Sequence, residues 1–291
     1  MHARNRFAAP YDFARLQRVV PALCEYLRTS PAGSTTIDFA SPAAVRLLNK
    51  ALLLDAYDLD FWDLPADALC PAVPGRLNYI HLLADLLGAN ELGRLAGGIR
   101  GLDIGTGASL VYPLLAVAEY GWHMTGSDID ATALRAAEAI VKLNPRLGKR
   151  ITLRHQRQRN QLFKGVIRPD EQFDFTMCNP PFFASAKLAE DATREKWRKL
   201  RGDDSSLLNF GGQAHELWTP GGEPAFLQRM IRESVGFRQN VRWFTTLVSQ
   251  RRHLREAKRQ LRRVQAHEVR VLDYTVGNKQ HQVLAWRFAS S

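Results

Sequence analysis

The chain has 291 residues, 45% hydrophobic and 24% charged, the proportions of an ordinary globular protein with room for a real core. No apolar run approaches the roughly 20 residues of a membrane helix. The N-terminal MHARNRFAAPYDF lacks the apolar core of a signal peptide. Three widely spaced cysteines, Cys24, Cys70 and Cys178, argue against a disulfide framework or a cysteine metal site and for a reducing, cytoplasmic setting. The net charge of +11 is uneven. Residues 1–98 carry 9 Lys/Arg and 10 Asp/Glu, residues 99–183 carry 11 and 8, and residues 184–291 carry 20 and 11. An excess concentrated in the last third favours a polyanionic partner, nucleic acid first.

Residues 1–98 read as helices broken by Pro/Gly loops. SPAAVRLLNKALLLDAY (41–57) opens with a Ser cap and a first-turn Pro. GRLNYIHLLADLLG (75–88) is amphipathic and stops at Gly88. From residue 99 strands and helices alternate. Strands are expected at 99–105, 122–128, 150–156, 173–178 and 241–249, with helices at 109–121, 131–144, 223–237 and 249–263. Two closing strands, 267–276 and 280–289, are joined by a turn at GNK. The pattern predicts an α/β fold. It is a mostly parallel, doubly wound sheet over 99–291 with an antiparallel edge strand, preceded by a helical N-terminal extension over 1–98.

DIGTGAS (103–109) joins the first of these strands to its helix. Gly105 and Gly107 let a ligand approach the main chain, although a plain strand–helix turn would also use them. Leu110 stands where the dinucleotide fingerprint has its third glycine, which disfavours pyrophosphate. Asp103-x-Gly105-x-Gly107 suits S-adenosylmethionine instead. The second strand ends in Asp128, an acid placed to accept both hydroxyls of a ribose, or else to cap the helix at 131, a role that Asp130 could equally fill.

The fourth strand exits into Cys178-Asn179-Pro180-Pro181-Phe182-Phe183. Two prolines cannot continue a ladder. In an open α/β sheet, ligands bind beyond the carboxyl ends of the strands, which puts Asn179 beside any cofactor there. A ring-conjugated amino group is a poor nucleophile because its lone pair is delocalised. The Asn179 side-chain oxygen and the Pro180 carbonyl would accept its two N–H bonds and steer the lone pair. Their dipoles would then stabilise the positive charge that builds on nitrogen. Phe182 would stack on the ring, worth roughly 1–3 kcal/mol, with Pro181 and Phe183 flanking the substrate; Phe183 equally suits core packing.

With these motifs together, the sequence resembles Rossmann-like S-adenosylmethionine-dependent methyltransferases that carry N-P-P-[FY]. With MHARNRF, YDF, TIDFASPAAVRLLNKALL, PAVPGRLNYIHLLADLL, LDIGTGASLVYPLL and CNPPFF, it resembles over nearly its whole length the ribosomal RNA large subunit methyltransferase F family, and its eukaryotic relatives that methylate adenines in structured RNA. The resemblance implies class I methyltransferase architecture with seven strands. It implies transfer of a methyl group to N6 of one adenosine in 23S ribosomal RNA, naked or in a large-subunit assembly intermediate. S-adenosyl-L-homocysteine would be the co-product. The family's binding residues match at Arg76, Gly105, Ser109, Asp128 and Asn179. Arg76, opening a helix after Pro74-Gly75, would pair with the cofactor carboxylate, although a surface helix-start Arg reads the same way. RHQRQRN after the third strand offers no acid for the cofactor's adenine, and Asn160 is the candidate there.

RNA contacts are expected from Arg4 and Arg6, from the basic helix through Arg251, Arg255 and Arg259, or from the stretch bearing Arg194, Lys196, Arg198, Lys199 and Arg201. No oligomer signal stands out, so a monomer is expected. The rival readings are a protein-glutamine N5 methyltransferase, which would favour Tyr at position 182, and a non-catalytic RNA-binding Rossmann-like protein, against which the intact acid, glycine and Asn set argues.

Overall fold

The computed structural model describes residues 1–65, 68–88, 98–181, 183, 219–276 and 279–289. Phe182 and the stretch with Arg194, Lys196, Arg198, Lys199 and Arg201 lie outside the described residues. A small hairpin pairs β1 (Leu27–Thr29) with β2 (Thr35–Ile37). Its three-residue strands are too short to show alternation, and the sequence reading passes over them. The main sheet is built from β3 (Arg100–Ile104), β4 (His123–Asp128), β5 (Ile151–His155), β6 (Phe173–Cys178), β7 (Val241–Val248), β8 (Glu268–Val276) and β9 (Lys279–Arg287). Its order is β5-β4-β3-β6-β7-β9-β8. The first five of these run parallel. β9 enters antiparallel between β7 and the edge strand β8, so the reversed pairing sits at the edge that the closing strand pair indicated.

The helices are α1 (Phe13–Val19), α2 (Pro42–Tyr57), α3 (Val73–Leu86), α4 (Val111–Tyr120), α5 (Ala131–Leu143), the single turn α6 (Pro145–Gly148), α7 (Gly222–Ser234) and α8 (Arg251–Arg263). Ser41 caps α2 by accepting from the Ala44 N–H, as its position before Pro42 predicts. Successive strand residues fall to opposite faces of the sheet. Phe175, Met177, Trp243, Val283 and Ala285 join the core formed with α2 to α5. Phe173, Phe244, Leu284 and Trp286 pack with Phe226 and Met230 of α7 and with Leu254, Ala257 and Leu261 of α8. None of the described helices is long and apolar enough to cross a membrane.

The N-terminal segment merges into the first of these cores. Fully buried Trp62 donates its Nε1–H to the Ser109 carbonyl at 2.9 Å. The Asn144 side chain accepts from the Asp60 and Phe61 N–H groups and donates to the Phe61 carbonyl. Arg4 and Arg6, the expected RNA contacts, also take part in this docking. Arg4 donates to Asp85 at 2.7 Å, to the His81 carbonyl and to the Tyr120 hydroxyl. Arg6 donates to Glu119 at 2.7 Å and to the Ala56 carbonyl. Glu119 and Tyr120 close the last turn of α4, a helix of 10 residues that starts at the carboxyl edge of the sheet. At 1.5 Å per residue, both arginines lie about 15 Å toward the opposite edge.

Candidate active site

The strand register brings the motifs to one edge. Ile104 lies opposite both Ser127 and Cys178, so Gly105, Asp128 and Asn179 leave three adjacent strands, β3, β4 and β6, at one level. The turn after β3 folds back over β4, with the Gly105 and Thr106 N–H groups both donating to the Ser127 carbonyl at 2.8 and 3.0 Å. Gly105 has φ +73° and Gly107 φ +64°, values that favour glycine. A Cβ on Gly105 would meet nothing within 4 Å, so bare backbone faces the cleft beyond the strands.

Asp128 stands in the cleft wall. Its Oδ2 accepts from the Gly107 N–H and its Oδ1 from the Asp130 N–H, both at 2.9 Å. These bonds orient the carboxylate without exhausting its acceptor capacity of about four. The cap of α5 is Asp130, which accepts from the Thr132 N–H, so the capping role considered for Asp128 belongs to its neighbour. Asp103 lies beneath the turn and is fully buried. Among the described residues neither of its carboxylate oxygens has a hydrogen-bond partner within bonding geometry. Burial pushes its carboxyl up to about 7, with nearby Asp128 adding to the rise and Thr106 and Arg76 opposing it.

Arg76 comes from the first turn of α3 and lines the same cleft. Its Nη1 donates to the Tyr112 hydroxyl at 3.2 Å, and it forms no salt bridge with another of the described residues. A guanidinium so held, facing a cleft, suits an anionic carboxylate. Ser109 also lines the wall.

At the end of β6, Asn179 is half-buried and lines the cleft. Among the described residues its buried Oδ1 has no hydrogen-bond partner, an arrangement that costs about 1–3 kcal/mol unless a donor arrives. Pro180 is buried beside it and Pro181 joins the wall. The Phe183 carbonyl accepts from the Thr219 N–H at 2.9 Å, which ties the strand exit to the residues leading into α7.

Asn160 is exposed and does not line the cleft. The turn closed by Gln161 N–H on the Gln158 carbonyl aims it outward, while Gln156, Arg159, Gln161 and Leu162 form the wall. That segment is pinned by Glu233 of α7, which accepts from the N–H groups of Leu162, Phe163 and Lys164 at 2.8, 2.8 and 2.7 Å. Sequence reasoning also missed Thr106, Tyr112, Phe226 and Arg229 in the wall. Gln156, directly after β5, was findable by position alone; the helix residues depend on which face packs inward.

The basic helix expected at 249–263 is α8. Leu254, Ala257 and Leu261 are buried and Val264 is half-buried. Arg251, Arg252, Arg255, Lys258, Arg259, Arg262 and Arg263 are exposed.

A family model described as RNA methyltransferase matches residues 1–290. The chain is 49% identical to Ribosomal RNA large subunit methyltransferase F of Stutzerimonas stutzeri over 99% of its length and 90% of that protein. It is 46% identical to the protein of the same name from Escherichia coli, over 99% of this chain and 93% of that one. Among solved structures it is similar to the catalytic domain of hMettl16 in complex with the MAT2A 3′UTR hairpin 1, with a TM-score of 0.82, 32% identity and 99% and 96% of the two chains covered. It is also similar to the N-terminal domain of human METTL16 in complex with SAH, with a TM-score of 0.80, 29% identity and 100% and 99% covered.

Proposed function

The chain belongs to the ribosomal RNA large subunit methyltransferase F family of S-adenosylmethionine-dependent RNA methyltransferases, and on that premise we propose that it methylates N6 of one adenosine in 23S ribosomal RNA. The observation that carries this reading is the buried Asn179 Oδ1, without a partner among the described residues, beside the glycine turn and Asp128. The residues fit the cofactor. Bare backbone at Gly105, the oriented Asp128 carboxylate, Ser109 and Arg76 line one cleft with Asn179. Asp128 would hold the ribose hydroxyls and Arg76 the carboxylate, with Asp103 and Gly107 shaping the turn between them. S-adenosylmethionine supplies an electrophilic methyl group on a sulfonium.

This chain's own residues then do four things. Asn179 Oδ1 and the Pro180 carbonyl accept the two amino hydrogens of adenine and turn its lone pair outward. The same dipoles stabilise the charge that develops on nitrogen. Phe182, with Pro181 and Phe183 beside it, stacks on a base drawn out of its RNA. The buried strand exit keeps water away from the reacting nitrogen. No strong base is needed, since the methylated cation sheds a proton readily. The protein acts as a monomer in the cytoplasm on the ribosomal RNA or a large-subunit assembly intermediate, and α8 holds the RNA backbone. The purified protein, incubated with tritiated S-adenosylmethionine and total RNA or total protein, should label RNA alone. Nucleoside digestion should place the label in N6-methyladenosine, and label in protein glutamine would replace this reading with the amide one.

A further inference from the structure

The start of α8 holds a buried arrangement that methyl transfer does not use. Glu223, in the first turn of α7, is fully buried. Its carboxylate accepts from the Ser249 N–H at 2.7 Å, the Ser249 Oγ–H at 3.0 Å and His253 Nδ1. No Lys or Arg bridges it among the described residues. It sits where the N-termini of α7 and α8 converge, and the positive ends of both helices favour a carboxylate there. On the other side of the imidazole, His253 Nε2 accepts from Arg252 Nε at 3.3 Å. A ring that accepts at Nε2 carries its proton on Nδ1, toward Glu223. Ser249 Oγ bonds the carboxylate and not the ring, so the trio is no nucleophile–base pair.

The consequence falls on Arg252. It is exposed and forms no salt bridge among the described residues, yet its Nε is anchored through His253 to a buried charge. The pairing of Thr176 with Phe244, continued three residues, sets Asn179 level with Leu247 on the neighbouring strand. β7 ends at Val248, one strand spacing of about 4.8 Å to the side of β6, and α8 opens at Arg251 just past that edge.

The geometry points to Arg252 as a pre-oriented ligand for an RNA phosphodiester beside the target nucleotide, held in place by Glu223 through His253. It rests on the reading of α8 as the helix that holds RNA. A guanidinium fork matches two phosphate oxygens, and fixing its Nε in advance lowers the ordering cost of binding. Arg252 binds the phosphate; His253 and Glu223 are positioning residues.

The test uses the full chain and its RNA substrate. Arg252→Gln should raise the RNA KM roughly tenfold and flatten the salt dependence of RNA affinity by about 0.7–0.9 in log–log slope, with cofactor affinity unchanged. Arg252→Lys should keep the slope and lose most of the affinity, since a point charge replaces the fork. His253→Gln is used because Glu223 is fully buried. It should raise the RNA KM roughly threefold in the wild-type background and leave it unchanged in the Arg252→Gln background. An unchanged KM and slope in Arg252→Gln overturns the phosphate-binding role. An equal His253→Gln penalty in both backgrounds makes the ring a fold element only. If the slope survives in Arg252→Gln but falls when Arg251, Arg255, Arg259 and Arg262 become Gln, only this inference fails. If neither variant changes the slope, the reading of α8 fails with it.

Discussion

The Gly107 N–H donates to Asp128 Oδ2 at 2.9 Å, across 21 residues. The glycine turn after β3 and the acid ending β4 are therefore one unit, in which the turn aims the carboxylate and the carboxylate holds the turn. Asp128→Ala should weaken S-adenosylmethionine binding by about 1–3 kcal/mol, because the ribose hydroxyls no longer find their acceptor. Calorimetry on the folded variant measures this, and an unchanged affinity would leave Asp128 only its bond to the turn.

Asp103 makes the apoprotein's stability depend on pH. Its carboxyl ordinarily titrates near 3.8 and is pushed up to about 7 in the fold, by burial first. Between those values the folded chain binds more protons than the unfolded one, so this group's contribution to stability falls as pH rises from about 4 to about 7. Relative to Asp103→Asn, the wild type should lose on the order of a few kcal/mol across that window. Paired thermal melts from pH 4 to pH 8 measure the difference, and a constant gap would mean that Asp103 is ionised throughout.

Much of the fold was readable because periodicity reports which face of an element is buried. Leu254, Ala257 and Leu261 recur at spacings of three and four, and all three are buried. What periodicity does not report is the long-range partner of a charged side chain. Arg4 and Arg6 read as RNA contacts, and nothing in the sequence marked the acids they bond, 81 and 113 residues away. Asn160 was one position from the wall residues Arg159 and Gln161, because a turn's outward residue is set by its backbone and not by its polarity. Glu223 and His253, 30 residues apart, carry no motif to join them.

Replacing Arg251, Arg255, Arg259 and Arg262 by Gln keeps helix propensity and removes four charges from the exposed face of α8. RNA affinity should fall, and its salt slope should flatten by roughly 0.7–0.9 for each phosphate that the helix no longer neutralises. Cofactor affinity serves as the internal control. Filter binding across a salt series is the measurement, and a full slope in this variant would move the RNA track elsewhere.

An aromatic face at position 182 should suffice. Phe182→Tyr and Phe182→Trp should retain most methyl transfer, while Phe182→Ala should lose stacking worth roughly 1–3 kcal/mol. Single-turnover rates on RNA separate the three, and equal losses would point to packing.

The central claim is that Asn179 presents an adenosine N6 of 23S ribosomal RNA for methylation. Mass spectrometry of 23S rRNA from cells lacking this chain, complemented with the wild type or with Asn179→Ala, tests it most directly. The account predicts one N6-methyladenosine lost on deletion, restored by the wild type and still missing with Asn179→Ala, even though the purified variant binds S-adenosylmethionine. Restoration by Asn179→Ala at the wild-type level, or no 23S adenosine changed by the deletion, would contradict it.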